Sequence, residues 1–239
     1  MPTLEETLKR LAITFSVRDI MIPGTGLVCA GDEIEAAEVS GENPDFNVIP
    51  IRQNGKLIGY FERDSHTARE IALNDLISDG TSLLDLVEIF EDREFSFILS
   101  HRQIAGYVHF SDLNHHLVKL TFYVILEALE RQVLNSTRRK DDREYLSGNL
   151  DPNRFAQITQ QYHRAGDAAR SLFNYLNISD ILRLAAKAGT IQIDDDAIKA
   201  MKEARDGAAH ASENIVADYE AVKRLAKVKR ECLRILGGT

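Results

Sequence analysis

The residues of this chain whose types and spacing bear most directly on chemistry are Arg205, Asp206 and His210, in the run Arg205-Asp206-Gly207-Ala208-Ala209-His210. A guanidinium supplies a fixed positive charge and an imidazole a proton-transfer group, the minimum for cleaving a phosphodiester without a metal. In a regular helix, positions five apart point roughly 140° away from each other and lie about 7.5 Å apart along the axis. Convergence therefore requires the long arginine to wrap around the helix, Gly207 to loosen the turn, or a second copy of the helix to face the first. A dimeric site is the natural solution. The competing reading makes Arg205 a surface residue paired with Asp206, and His210 a satisfied interface histidine.

The elements that must position these groups divide the chain in two. From Ser16, Val17-Arg18-Asp19-Ile20-Met21 leads through a helix-like segment to Val48-Ile49-Pro50-Ile51, Asn54-Gly55 and Leu57-Ile58-Gly59-Tyr60-Phe61. Asn-Gly between two β-rich runs predicts a hairpin. A second pass runs from Leu73 through the helical period of Ser82 to Phe90, then Phe95 to Leu99 and Ile104-Ala105-Gly106-Tyr107-Val108. Gly59-Tyr60 and Gly106-Tyr107 lie 47 residues apart, a period that fits one supersecondary unit per repeat. Two small β/α units, about 14–66 and 67–116, are predicted to pack as a pair.

This organisation resembles a pair of CBS motifs over about residues 14–116, on Val17 to Pro23, on Pro50-Ile51 with its Gly55 turn, and on Ile104 to Asp112. The resemblance implies an adenosine ligand whose ribose is held by Asp112, with His109 and Ser111 beside it. An ionised carboxylate near a helix N-terminus can accept two ribose hydroxyls, and the dipole favours its charge. Asp112 can equally be an N-cap for a helix opening at Asp112-Leu113-Asn114. His109 stands where the family has Ser or Thr. In the first repeat Glu62 and Ser65 replace the Ser/Thr and the Asp, so one adenylate site at most is expected.

Beyond Asp112, Leu117, Leu120, Thr121, Val124, Ile125, Ala128, Leu129 and Val133 keep a 3.6 period for about six turns, so the helix leaving the paired repeats is predicted to run on into the next domain. Asn135 to Glu144 reads as a charged loop in which Arg138, Arg139, Lys140 and Arg143 either meet RNA backbone or are simply solvated. Helices are then expected from Phe155 to about Tyr175, from the N-cap Ser179 to the stop at Gly189, from Asp194-Asp195-Asp196 through the Arg205/His210 pair, and from Ile215 to Leu236. The aspartate triplet reads as capping rather than a metal site.

Four helices with R-x4-H on the third, and a polar residue directly after the arginine, resemble the HEPN domain over about residues 117–236. The fold class expected is therefore mixed α+β: two β/α motifs followed by an all-helical four- to five-helix bundle. The resemblance implies a metal-independent endoribonuclease, requiring no cofactor, whose site forms across a homodimer. In it the 2′-hydroxyl attacks the adjacent phosphate to leave a 2′,3′-cyclic phosphate, His210 moves the proton, Arg205 stabilises the charged transition state, and Asp206 orients Arg205 or polarises His210. Joined, the halves suggest an RNA-cleaving protein controlled by an adenine nucleotide effector. The alternatives are a non-catalytic nucleotide-sensing scaffold, or a toxin-like component held by a partner. Two dimer interfaces could also build a tetramer.

Composition sets limits. The chain has 239 residues and a net charge of −8, of ordinary soluble composition. Up to residue 112 there are 9 Lys and Arg against 20 Asp and Glu, and beyond it 20 against 17, so a balance of −11 precedes one of +3. Only the second half can welcome a polyanion. No apolar run is long enough to span a bilayer and the acidic beginning lacks a signal pattern, so a cytoplasmic protein without membrane attachment is expected. Cys29 and Cys232, without clustered ligands, read as packing residues.

Overall fold

The computed structural model describes residues 6, 10, 13–44, 46–137, 142–166 and 171–237. They fall into two compact units, Phe15–Leu117 and a second that joins the described residues before Phe15 to those from Val118 onward.

In the first unit the chain forms β1 (Ile22–Pro23), α1 (Glu33–Glu42), β2 (Val48–Gln53), β3 (Lys56–Glu62), β4 (Thr67–Glu70), β5 (Leu76–Ser78), α2 (Leu83–Ile89), β6 (Phe95–Ser100) and β7 (Gln103–His109). They make one sheet of order β2-β3-β4 and another of order β1-β7-β6-β5. A single parallel bridge, Ala30 to Ile51, gives the first sheet the place that β5 fills beside β6 in the second, so both repeats share one plan. Both hairpins shift register at matching positions, Ile51/Arg52 and Ile98/Leu99.

The repeated glycine has a steric cause. A Cβ on Gly59 would lie 2.5 Å from the Arg69 carbonyl oxygen, and one on Gly106 would lie 2.5 Å from that of Ile22. Each glycine lets a short strand, β4 or β1, close over the hairpin. The tyrosines that follow meet between the sheets: Tyr60 packs on Phe95 and Phe97, and Phe97 on Tyr107, with ring centroids 5.2–5.6 Å apart. The helices start where their caps dictate, with Asp32 accepting from the Glu35 N–H and Ser82 from the Asp85 N–H.

The second unit is helical: α3 (His116–Thr137), α4 (Asp142–Asn149), α5 (Pro152–Ala165), α6 (Ile178–Lys187), α7 (Asp195–Ala209) and α8 (Tyr219–Gly237). From His116 onward the described residues form six α-helices, where four or five were expected. Of the expected charged loop, residues 135–137 close α3 and 142–144 open α4, which runs on to Asn149 before the Asp151 cap, whose carboxylate accepts from the Asn153 and Arg154 N–H groups. The helix expected to reach Tyr175 stops at Gly166, left-handed at φ 63°, and among the described residues a 3-10 turn stands at Leu172–Tyr175. The cap of α6 is Asn177 rather than Ser179. Asp194 caps α7 by accepting from the Ala197 N–H at 2.6 Å, as the aspartate triplet suggested. Arg138, Arg139 and Lys140 lie outside the described residues.

Phe122, Leu126 and Leu129 of α3, Leu182 and Leu184 of α6, Met201 of α7 and Val222 and Cys232 of α8 are buried in this unit. Arg154 on α5 reaches Asp180 on α6 at 2.6 Å, tying the two helices. Cys29 and Cys232 are both free thiols. No described helix is long and apolar enough to cross a membrane.

Candidate functional site

The first unit holds a cleft of about 360 Å³ walled by Ile22, Leu27, Val28, Phe46, Val48, Pro50 and Tyr107. Its polar side chains include Asn47 beside His109, Ser111 and Asp112, the last three converging where β7 ends. The chain there turns through a short 3-10 helix, Phe110–Asn114, with His109 as its cap. Asp112 is thus not the N-cap of a helix opening at its own position. It stands three residues inside the turn and reaches back, its Oδ2 accepting from the His109 N–H at 2.8 Å. Among the described residues no group donates to its Oδ1. The His109 Nδ1 lies 2.9 Å from the Ser111 Oγ and accepts from the Ser111 N–H at 3.3 Å.

Burial dominates the electrostatics of this corner. It raises the Asp112 carboxyl above the ordinary range, opposed by the His109 N–H and the nearby imidazole. It lowers His109, opposed by the Asp112 charge. Tyr107 is driven up by burial and then by the charges of Asp112 and Glu94, so its hydroxyl stays protonated and can donate.

The matching place in the first repeat is built differently. A cleft of about 770 Å³ there is lined by Glu62, Asp64, Asp75, Asp92 and Glu94 together with Arg69 and Arg93. Glu62 pairs with Arg69 at 3.2 Å, and the Ser65 Oγ lies 2.8 Å from the Thr67 Oγ1. Glu62 is engaged with Arg69, and the five carboxylates of this cleft repel phosphate.

In the second unit, Arg205 sits near the end of α7 and His210 just past it, where the backbone turns extended (φ −108°, ψ 118°). The helix does not carry both residues. Gly207 allows this exit in a way that spacing did not suggest: a Cβ there would lie 3.1 Å from Ile215 Cγ2, so the returning chain packs directly on the helix. Lys119, buried on α3, pins that return by donating to the Ala211 carbonyl at 2.9 Å and the Glu213 carbonyl at 2.5 Å. His210 is exposed, and among the described residues its ring has no hydrogen bond.

Arg205 is held by α3. Its Nε lies 3.7 Å from Glu130 Oε2, and its guanidinium carbon lies 5.2 Å from the centre of the Tyr123 ring. Burial raises the Glu130 carboxyl, with Arg205 the main opposing influence. Asp206 bonds Lys202 one turn back at 2.5 Å, so the partner that holds Arg205 is Glu130 and not its neighbour. The apolar stripe of α3 does not mark Lys119, Tyr123 and Glu130. Their spacing of four and then seven residues, which puts them on one helix face, was the available signal.

No protein-family model matches the chain, and no curated protein matches it. Among solved structures, the chain is similar to the CBS domain of a bacterial CNNM/CorC family Mg2+ transporter in complex with ATP. The TM-score is 0.38 at 12% identity, over 48% of this chain and 94% of that one. It is also similar to a hemolysin-like protein containing a CBS domain from Oenococcus oeni PSU, with TM-score 0.36 and 13% identity over 46% of this chain and 96% of that one.

Proposed function

We propose that the first unit is a receptor for an adenosine-type nucleotide, bound in the cleft that ends at Asp112. The observation that carries this is the Asp112 carboxylate itself. One oxygen is fixed by the His109 N–H, the other has no described donor, and both stand at the polar end of an apolar cleft of about 360 Å³. An apolar slot with a few converging polar groups suits a flat base and a sugar, and the volume lies within the roughly 300–1,000 Å³ of small-ligand sites. The diol of a ribose would donate to the free oxygen while the base packs against Leu27, Val28, Phe46 and Tyr107. Titration with adenosine and with 2′,3′-dideoxyadenosine tests this. The ribonucleoside is expected to bind about ten times more tightly, since a hydrogen bond to a charged group contributes about 1.5 kcal/mol or more. Equal affinities would remove Asp112 from the site.

A second reading, favoured by the placement of Arg205 and His210, makes the helical unit a metal-independent ribonuclease. Arg205 is steadied by Glu130 and Tyr123, while His210 stands exposed with its ring uncommitted, the disposition a proton-transfer group needs before RNA arrives. A site shared by two copies would bring two imidazoles to one phosphate. The test is incubation with end-labelled single-stranded RNA in excess chelator beside His210→Ala of equal melting temperature. Cyclic-phosphate ends that vanish in the variant support the reading. RNA left intact by both proteins, with and without adenine nucleotide, favours a non-catalytic sensing dimer.

A further inference from the structure

The tips of the two hairpins of the first unit enclose another cleft, of about 820 Å³, lined among others by Gly24, Thr25, Arg52, Lys56, Arg102 and Gln103. Residues 15–117 contain seven Lys and Arg against eighteen Asp and Glu, so cations are scarce there. Three of those seven line this one cleft, and no described carboxylate does. The other four are engaged elsewhere: Arg18 with Asp79, Arg69 with Glu62, Arg63 with the carbonyls around Ser40 and Asn43, and Arg93 with the Asn74 carbonyl. Arg52 donates to the Gly24 carbonyl, which fixes its guanidinium at the wall. Among the described residues no carboxylate pairs with Arg52, Lys56 or Arg102. Like charges gathered without counter-charge in an otherwise acidic unit repel one another unless an anion joins them.

The turn that presents Arg102 adds a second observation. The first hairpin turns on Asn54-Gly55, with φ of 49° and 77°, the residues such a left-handed turn prefers. The second turns on His101-Arg102, with φ of 48° and 67°. A large side chain in that conformation is disfavoured, and a glycine would relieve it. The fold tolerates the strain and thereby places a guanidinium at the mouth of the cleft.

We infer that this cleft binds a short polyphosphate chain, either free or as the tail of a nucleotide. Two guanidinium forks match phosphate oxygens in pairs, Lys56 adds a compact charge, and Gly55, with open space where a side chain would stand, leaves the backbone free to close approach. The site is distinct from the Asp112 cleft. Pro23, Gly24 and Thr25 line the one while Ile22 and Gly26 line the other, so the segment Ile22–Gly26 lies between them.

The experiment titrates inorganic tripolyphosphate, and separately ATP, at low salt into the wild-type protein, the Lys56→Gln/Arg102→Gly double variant and Asp112→Asn. Tripolyphosphate affinity is expected to fall roughly tenfold or more in the double variant and to stay unchanged in Asp112→Asn. Arg102→Gly alone is expected to melt no lower than wild type, which separates lost binding from lost folding. ATP weakened by both variants would assign the phosphates to a nucleotide whose nucleoside occupies the Asp112 cleft, and ATP weakened by the double variant alone would assign a chain bound by its phosphates only. Equal tripolyphosphate binding by wild type and double variant, or none by wild type at millimolar concentration, would overturn the site.

Discussion

Asp112 and His109 respond to pH in opposite senses, because burial penalises the charged form of each. His109 is lowered, so the unfolded chain takes up its proton first, near pH 6.5. Its contribution to stability is complete above that pH and is lost as the pH falls through the lowered value. Asp112 is raised, so its contribution is present below the ordinary carboxyl range and is lost as the pH rises through the raised value. Just below pH 6.5 the histidine governs, and thermal melts are expected to show a smaller fall between about pH 6.5 and 5 for His109→Gln than for wild type. Parallel curves would contradict this. Ligand binding needs the ionised carboxylate, so nucleoside affinity should weaken on acidification toward the raised Asp112 value. In the helical unit, Glu130→Gln removes the partner of Arg205, whereas Asp206→Asn removes only an exposed pairing with Lys202. If RNA is cleaved, the first change is expected to slow turnover at saturating RNA about tenfold or more and the second to leave it within a factor of two or three. The reverse order would return the positioning role to Asp206.

Among the elements, the short strands that close over Gly59 and Gly106 hold the first unit in shape. Gly106→Ala would drive its Cβ to 2.5 Å from the Ile22 carbonyl oxygen and 2.9 Å from the Met21 sulfur. Such overpacking is expected to cost about 1–3 kcal/mol. Gly148 lies inside α4, exposed and with open space around it, so Gly148→Ala is expected to stabilise by about 0.5–1 kcal/mol. Chemical denaturation of both variants checks the contrast, and a neutral Gly106→Ala would show that β1 does not close there. The glycine pair was legible as a 47-residue repeat, and the Asn54-Gly55 hairpin by its turn residues. Strands β1 and β4 were not, because Ile-Pro and Thr-Ala-Arg-Glu carry no alternation and owe their pairing to neighbours far along the chain. Nor was the end of α7. Gly207-Ala208-Ala209 carries no stop signal, and the loop after His210 is held by Lys119 from 92 and 94 positions away. The grouping of His109, Ser111 and Asp112 was legible because they are adjacent in sequence. Glu130 and Tyr123 were not, because α3 presents them from a distant stretch of chain.

For the molecule as a whole, charge and chemistry are divided between the units. The acidic first unit excludes polyanions from most of its surface and gathers at one cleft three cations that have no carboxylate partner among the described residues, while the second carries more Lys and Arg than Asp and Glu. An RNA-binding role would therefore rest on the second unit, and its affinity should fall as salt rises. A nucleotide could influence that unit only by binding two arrangements of the chain unequally. The property on which the others rest is whether the Asp112 cleft takes a nucleoside. Isothermal titration of adenosine into wild type and Asp112→Ala, both checked for the same melting transition, addresses this directly. Saturable one-to-one binding by the wild type is expected, with a loss of about ten- to a hundredfold in the variant, the effect of removing one or two hydrogen bonds to a charged group. Adenosine bound with the same affinity by both proteins, or by neither, would contradict it.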